Sequence, residues 1–143
     1  AFNDTGIGQA MVEAVEPDMV DNYGIANLGD ETIKPFKSVK LKGLIEKPSP
    51  EDAPSNLAVL GRYVLPASVL DLLEVTVAGV GGEIQLTDAL DELLKSEGLN
   101  IFETDAAIFD CGNKQGFLGA NVAVGILDPK IKEYIKALID DSE

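Results

Sequence analysis

From Val39 onward apolar and polar positions alternate: Val39, Leu41 and Ile45 fall on one face, and Lys40, Lys42 and Glu46 on the other. A period of two marks a half-buried strand. The pattern stops at Lys47-Pro48, because proline brings no N–H to a central ladder and pushes its predecessor into extended backbone. Residues 48–55, PSPEDAPS, then predict a stiff surface loop, and residues 56–65, NLAVLGRYVL, are nearly continuous apolar sequence. That run predicts a strand covered on both faces. Pro66 suits the first position of a helix over 66–75 with Val69, Leu70 and Leu73 facing inward. A second helix is expected over 84–96 with the stripe Leu86, Ala89, Leu90, Leu93 and Leu94, and Gly98 suits a left-handed turn after it.

Elsewhere the pattern is weaker. Residues 1–19 are mixed, with a short run Met11-Val12-Glu13-Ala14-Val15, and residues 20–28 read as a strand interrupted by Gly24. Residues 29–38 make a polar connection, 77–82 a flexible loop, and 100–110 two short extended pieces, IFET and AAIFD. A helix is expected over 113–127. Asp128-Pro129 then signals the cap and first residue of a last helix striped by Ile131, Tyr134, Ile135 and Leu138. The acidic residues 140–143 lie unfavourably at that helix's C-terminus and are expected to fray. Strands and helices alternate without an internal repeat, which predicts the α/β class with helices on both faces of a sheet.

Composition narrows the chemistry. Eleven basic against 25 acidic residues give a net charge of −14 over 143 residues. Such a charge argues against nucleic-acid and anionic-membrane partners, which select basic surfaces. The chain has no His, so there is no imidazole base, no His-ligated zinc and no Ser-His-Asp triad. One Cys, Cys111, excludes an internal disulfide framework and a multi-Cys metal site. A metal would have to bind oxygen, which favours Mg²⁺ or Ca²⁺. With no apolar stretch of membrane-spanning length and no signal-peptide pattern at Ala1-Phe2-Asn3-Asp4, the expected setting is cytoplasmic. The absence of an initiating Met suits either Met removal before a small residue or a segment of a longer chain.

Three places could carry chemistry. Glu46-Lys47-Pro48 lies at a strand end, where ligands gather in α/β sheets. Lys47 suits a phosphate and Glu46 suits sugar hydroxyls, although the pair also reads as a solvated charge pair before a turn. Neighbours on a regular strand point to opposite faces, so both reach one ligand only if the strand distorts at Pro48. Asp110, before Cys111-Gly112, could ligate Mg²⁺ together with waters and phosphate oxygens, or it could close a turn or cap the helix near Asn113. Cys111 reads as a buried structural thiol rather than a nucleophile. Tyr23-Gly24 marks either a close approach by a ligand or a bulge. Gly6-x-Gly8 is too short for a dinucleotide fingerprint, and the loop at 79–82 lacks the Lys-Ser/Thr of a phosphate loop.

Y-G-I at 23–25, I-E-K-P at 45–48, A-P-S-N-L-A-V-L-G-R-Y-V-L at 53–65, G-G-E-I-Q-L-T-D-A at 81–89 and D-C-G-N-K at 110–114 occur in that order. Together they resemble the bacterial UTP–glucose-1-phosphate uridylyltransferases, within the sugar-phosphate nucleotidyltransferase family. The similarity runs from about Asn3 to Leu127, and the motifs at 53–65 and 81–89 mark the uridylyl branch rather than its thymidylyl relatives. The G-x-G-x-R nucleotide loop and a first metal-binding Asp of that family have no counterpart here. The similarity is therefore to the later, sugar-phosphate half.

The resemblance implies a Rossmann-like nucleotidyltransferase fold, here the later half of a mixed sheet flanked by helices, with the sugar-phosphate half over 1–128 and a C-terminal helix over 129–143. It implies transfer of UMP from UTP to glucose 1-phosphate, giving UDP-glucose and pyrophosphate. Lys47 would meet the sugar phosphate, Glu46 the glucose hydroxyls, and Gly24 would let the sugar lie against the backbone. Tyr23, Asn56 and Tyr63 would line the sugar pocket. Asp110 would be one of two carboxylates on a catalytic Mg²⁺, its partner lying in the missing N-terminal half. The chain alone is expected to be inactive. Half a sheet exposes an edge and an apolar face, so association with itself or with the missing half is expected. The competing expectation is a non-catalytic sugar-phosphate-binding or oligomerisation module of the same descent.

Overall fold

The computed structural model describes residues 1–34, 36–79, 82–104 and 106–141. The chain forms two compact units, Ala1–Asp105 and Ala106–Glu143, so the boundary falls before the last two helices rather than between them.

The first unit begins with a single helical turn, α1 (Phe2–Thr5), and then β1 (Gly8–Ala14). A 3-10 helix, Pro17–Asn22, leads into β2 (Gly24–Asn27), β3 (Val39–Lys40), β4 (Gly43–Glu46) and β5 (Leu57–Val64). Two helices, α2 (Ser68–Val75) and α3 (Leu86–Ser96), precede β6 (Leu99–Glu103). Among the described residues the strands form one mixed sheet in the order β3-β6-β1-β5-β2-β4, with β1 parallel to β6 and antiparallel to β5. The α/β class stands.

The sheet curls back on itself. Its two edge strands, β3 and β4, are joined by Leu41-Lys42 alone. Three residue steps span at most about 11 Å, whereas a flat sheet of this size would hold its edges about 24 Å apart. The two linking residues divide their loyalty: the Leu41 N–H donates to Leu99 O at 2.9 Å, and the Lys42 N–H to Asn27 O at 2.8 Å. The single alternating strand expected over residues 39–46 is thus two strands on opposite edges. The bend also reverses the phase, since a one-residue slip exchanges the faces of a strand. Leu44 packs on the core while Ile45, expected inside, is exposed.

Inside the curl lie Ala10, Val12, Ala26, Leu28, Leu41, Leu57, Leu99 and Ile101, closed by Val69 of α2 and by Leu90 and Leu93 of α3. The α3 stripe is as its period of 3.6 predicts, with Ala89, Leu90 and Leu93 fully buried. Gly98 ends it in the left-handed region (φ 87°), its N–H donating back to Leu93 O at 3.1 Å. Val20, Ile25 and Ala58 form a smaller cluster on the other face.

Several expectations need correction. β1, the strand between β5 and β6, lies in the stretch that showed no clear pattern. Two of its inward positions, Gly8 and Ala10, are small: a Cβ on Gly8 would meet Leu99 Cδ1 at 2.9 Å. Residues 20–22 belong to the 3-10 helix, which Pro17 starts by supplying a preset φ. Helix α2 begins at Ser68 rather than at Pro66, and Leu70 faces solvent because Val69 and Leu72 carry the contact with the core. β5 is covered on both faces only in its first half, and Gly61, Arg62 and Val64 are exposed.

In the second unit residues 106–110 form no strand. Helix α4 (Lys114–Gly125) is capped by Asn113, whose Oδ1 accepts the Gly116 N–H at 2.7 Å. Helix α5 (Pro129–Asp140) is capped by Asp128, which accepts the Lys130 N–H at 2.8 Å. The two pack through Gly125, where a Cβ would come within 3.2 Å of Ile131 Cγ2. The helix persists through Asp140, so that residue of the acidic tail does not fray, whereas residues 142 and 143 lie outside those described. Among the described residues no helix is long and apolar enough to cross a membrane.

Candidate functional site

β2 and β4 pair antiparallel with Gly24 opposite Glu46, so the end of one strand lies beside the start of the other. The ladder closes with the Lys47 N–H donating to Tyr23 O at 2.9 Å. There the chain leaves extended geometry. Lys47 takes a left-handed φ of 47° before a buried Pro48, a conformation that costs a non-glycine residue about 1–2 kcal/mol. This is the distortion that two neighbouring side chains need in order to share a side. The Lys47 Nζ stands 3.9 Å from Glu46 Oε1, although both side chains keep substantial solvent exposure. Such an open ion pair contributes little stability by itself. Its consequence is placement.

Glu46 in turn borders a pocket of about 200 Å³ together with Tyr23, Gly24, Tyr63, Thr87 and Leu90. Four of the residues singled out from sequence, Tyr23 just before β2 and Gly24, Glu46 and Tyr63 on β2, β4 and β5, are therefore brought together, and Lys47 stands beside Glu46. A Cβ on Gly24 would stand 3.1 Å from Glu46 Oε2, so a larger residue would push into the carboxylate. Burial, and then the Glu46 charge, push the Tyr63 phenol above its ordinary value. At neutral pH it is a hydroxyl that can donate as well as accept.

A larger groove of about 580 Å³ is also bordered by Glu46 and Thr87, and Asp88, Asp91 and Glu92 contribute carboxylates to it. Lys95 is tied to two of them, 2.7 Å from Asp91 and 2.8 Å from Glu92. Those hydrogen bonds, Asp91 first, raise its pKa. An anionic group is disfavoured in that groove.

Asn56 is placed differently. Its Nδ2 donates to Val15 O and its own carbonyl accepts the Val15 N–H, both at 2.9 Å, which fastens the start of β5 to the chain after β1. It is not among the residues bordering the 200 Å³ pocket.

In the second unit Asp110 is exposed in a tight turn. Oδ1 accepts the Gly112 N–H at 2.9 Å and Oδ2 accepts from Asn113 Nδ2 at 3.1 Å. The helix cap is Asn113, so Asp110 closes the turn before it. Gly116, on the first turn of α4, is where a Cβ would run into the Asp110 carbonyl. Cys111 is exposed rather than buried, since the segment carrying it joins no sheet. Among the described residues no three Cys, Asp or Glu side chains converge as a metal cage. A single carboxylate with unused lone pairs still suits Mg²⁺, which keeps several waters and takes one or two protein carboxylates plus phosphate oxygens.

Thr87 is a polar pocket residue to which sequence reasoning gave no role. It stood inside the motif at 81–89, whose Gly81 lies outside the described residues, and its position in that motif was the available signal.

Residues 2–125 match the family model described as nucleotidyl transferase. The chain belongs to that family. It is 47% identical over 138 residues to the UTP–glucose-1-phosphate uridylyltransferase of Haemophilus influenzae, covering 96% of this chain and 47% of that protein. Among solved structures it resembles a UTP-bound UGPase from Acinetobacter baumannii, with a TM-score of 0.86 and 39% identity, covering 99% of this chain and 48% of that one. A UDP-glucose pyrophosphorylase complexed with UDP-glucose matches with a TM-score of 0.76 and 32% identity over 86% of this chain and 46% of that one. This nucleotidyl transferase chain thus spans about half the length of the relatives it matches. The family and the fold class are as the motifs implied.

Proposed function

We propose that this chain is the sugar-phosphate-binding part of a UTP–glucose-1-phosphate uridylyltransferase. The observation that carries this reading is the left-handed Lys47, whose ammonium stands 3.9 Å from the carboxylate at the edge of the Tyr23–Gly24–Tyr63 pocket. A hexose phosphate is a polyhydroxyl body with a dianion at one end. Glu46 and Tyr63 offer hydrogen-bond partners to the body, Gly24 leaves it room, and Lys47 meets the dianion. A phosphate oxygen of glucose 1-phosphate then attacks the α-phosphorus of UTP in line. A new P–O bond forms, the α–β bridge breaks, and pyrophosphate leaves.

The two reactants repel each other, so positioning and charge stabilisation supply most of the acceleration. An ammonium about 4 Å from a phosphate contributes roughly 4 kcal/mol at an effective dielectric near 20, before desolvation. Asp110 would hold Mg²⁺, which neutralises developing phosphate charge when bound.

Calorimetric titration of the 143-residue chain with glucose 1-phosphate tests the reading. Saturable binding is expected, weakened about tenfold by Glu46→Gln, as suits a lost hydrogen bond to a charged group. No binding, or binding indifferent to Glu46→Gln, rejects it. In an active uridylyltransferase carrying this segment, Asp110→Asn is expected to move the Mg²⁺ dependence of turnover to higher concentration. An unchanged Mg²⁺ titration would remove Asp110 from the metal site. The half-length match to the relatives also favours a second reading, a sugar-phosphate-binding or association module. Binding without turnover even when a complementary nucleotide-binding half is supplied would select it.

A further inference from the structure

We propose that Thr87 is a positioning residue whose hydroxyl fixes the Glu46 carboxylate for the sugar hydroxyls, a role that rests on the reading of the pocket given above. Thr87 lies 41 positions from Glu46 in sequence, yet its Oγ1 donates to Glu46 Oε2 at 3.0 Å. The donor sits on a stiff base. It is the second residue of α3, and Ala89, Leu90 and Leu93 of that helix are fully buried. Thr87 and Leu90, three apart and so on one helical face, both border the 200 Å³ pocket.

Glu46 has no such anchorage of its own. It ends a short edge strand with its side chain 38% exposed, and the open contact with Lys47 at 3.9 Å is too long to hold it. Without Thr87 the carboxylate would sample several rotamers, and a ligand would have to immobilise it on binding. With Thr87 in place Oε2 is engaged from the α3 side, and Oε1 is kept toward Lys47. The Thr87 methyl fills the same corner, where a Cβ on Gly24 would meet Cγ2 at 4.0 Å. The Glu46–Thr87 bridge also borders both hollows, the small pocket and the acidic groove.

The test uses the full 143-residue chain, its isosteric Thr87→Val variant and its hydroxyl-retaining Thr87→Ser variant, with two readouts. The first is the affinity for glucose 1-phosphate by calorimetry. Thr87→Val is expected to weaken it about fivefold to tenfold and Thr87→Ser to stay within about twofold of the parent. In a Glu46→Gln background the Val change should cost less than about twofold, because coupled residues do not add. The second readout is the titration of Tyr63, which feels the Glu46 charge. It is followed by ¹⁹F resonance in chain carrying 3-fluorotyrosine, which titrates at lower pH than tyrosine, with Tyr63→Phe assigning the signal among the three tyrosines. Release of Glu46 toward solvent should shift that titration to lower pH in Thr87→Val and leave it in place in Thr87→Ser.

Parent-like affinity and an unmoved Tyr63 titration in Thr87→Val overturn the proposal. Should Thr87→Val fail to fold, parent-like values in Thr87→Ala for both readouts overturn it equally. A shifted Tyr63 titration in a chain whose parent does not bind glucose 1-phosphate supports the positioning of Glu46 by Thr87 and overturns the sugar-phosphate reading alone.

Discussion

Replacing Lys47 by alanine is expected to lower kcat/KM by roughly 10²–10³ in an active uridylyltransferase that carries this segment, the range seen when one preorganised charge-stabilising donor is lost. The expectation rests on where the fold puts the ammonium. The groove beyond Glu46 carries Asp88, Asp91 and Glu92, and the chain as a whole carries −14. Lys47 therefore offsets a field that otherwise opposes a dianion. Lys47→Gly is the informative companion. It removes the same ammonium but suits the left-handed φ of 47°, relieving roughly 1 kcal/mol of backbone strain. The two variants should lose activity alike, while Lys47→Gly unfolds at an equal or higher temperature than Lys47→Ala. A loss below tenfold in both would show that the ammonium does not meet the reacting phosphate.

Gly116→Ala is expected to be the most disruptive single-methyl change in the second unit. In an exposed helix interior, Gly→Ala ordinarily stabilises by about 1 kcal/mol. Here the sign reverses. The new Cβ would occupy the place of the Asp110 backbone carbonyl, and a backbone cannot step aside as a flexible side chain can. Overpacking of this kind costs about 1–3 kcal/mol, and the upper end is expected because the Asn113 cap and the Asp110 turn share the same few atoms. Helix content followed by circular dichroism should melt earlier by several degrees, since about 1 kcal/mol corresponds to roughly 2–4 °C in a chain near this size. An unchanged or raised melting temperature would mean that the turn does not hold the geometry described. If Asp110 does carry Mg²⁺, the same substitution should also weaken the metal dependence of turnover without touching a carboxylate.

Helices α3, α4 and α5 were legible in the sequence because their signals are local. A stripe at 86, 89, 90, 93 and 94, a glycine after it, and the cap at Asp128 lie within one or two turns of the structure they specify, whereas the cap at Asn113 came only with the structure. β5 was legible as an apolar run, although its exposed second half was not, since cover is supplied from elsewhere. β1 escaped because only Val12 among its inward positions is a strong strand former, while Gly8 and Ala10 are kept small by the side chains that press on them. The strip at 39–46 alternates cleanly and still bends, because Leu41 and Lys42 bond to strands remote in sequence and at opposite ends of the sheet. At the candidate site Tyr23, Gly24, Glu46 and Tyr63 do converge, Asn56 is tied to Val15 instead, and Thr87 arrives unannounced.

By itself, then, the sequence determined the residue types and the short-range elements: an acidic chain without imidazole, a Lys-Pro strand end beside a Glu, capped helices, and a set of ordered motifs that named the family. Only the tertiary structure decided which of these residues meet. The left-handed turn at Lys47, the bend that sends one alternating strip to both edges of a sheet, and the hydroxyl of Thr87 against Glu46 each depend on partners at least a strand away. Hydrogen bonds and packing between remote segments set these features, and no periodicity within either segment encodes them.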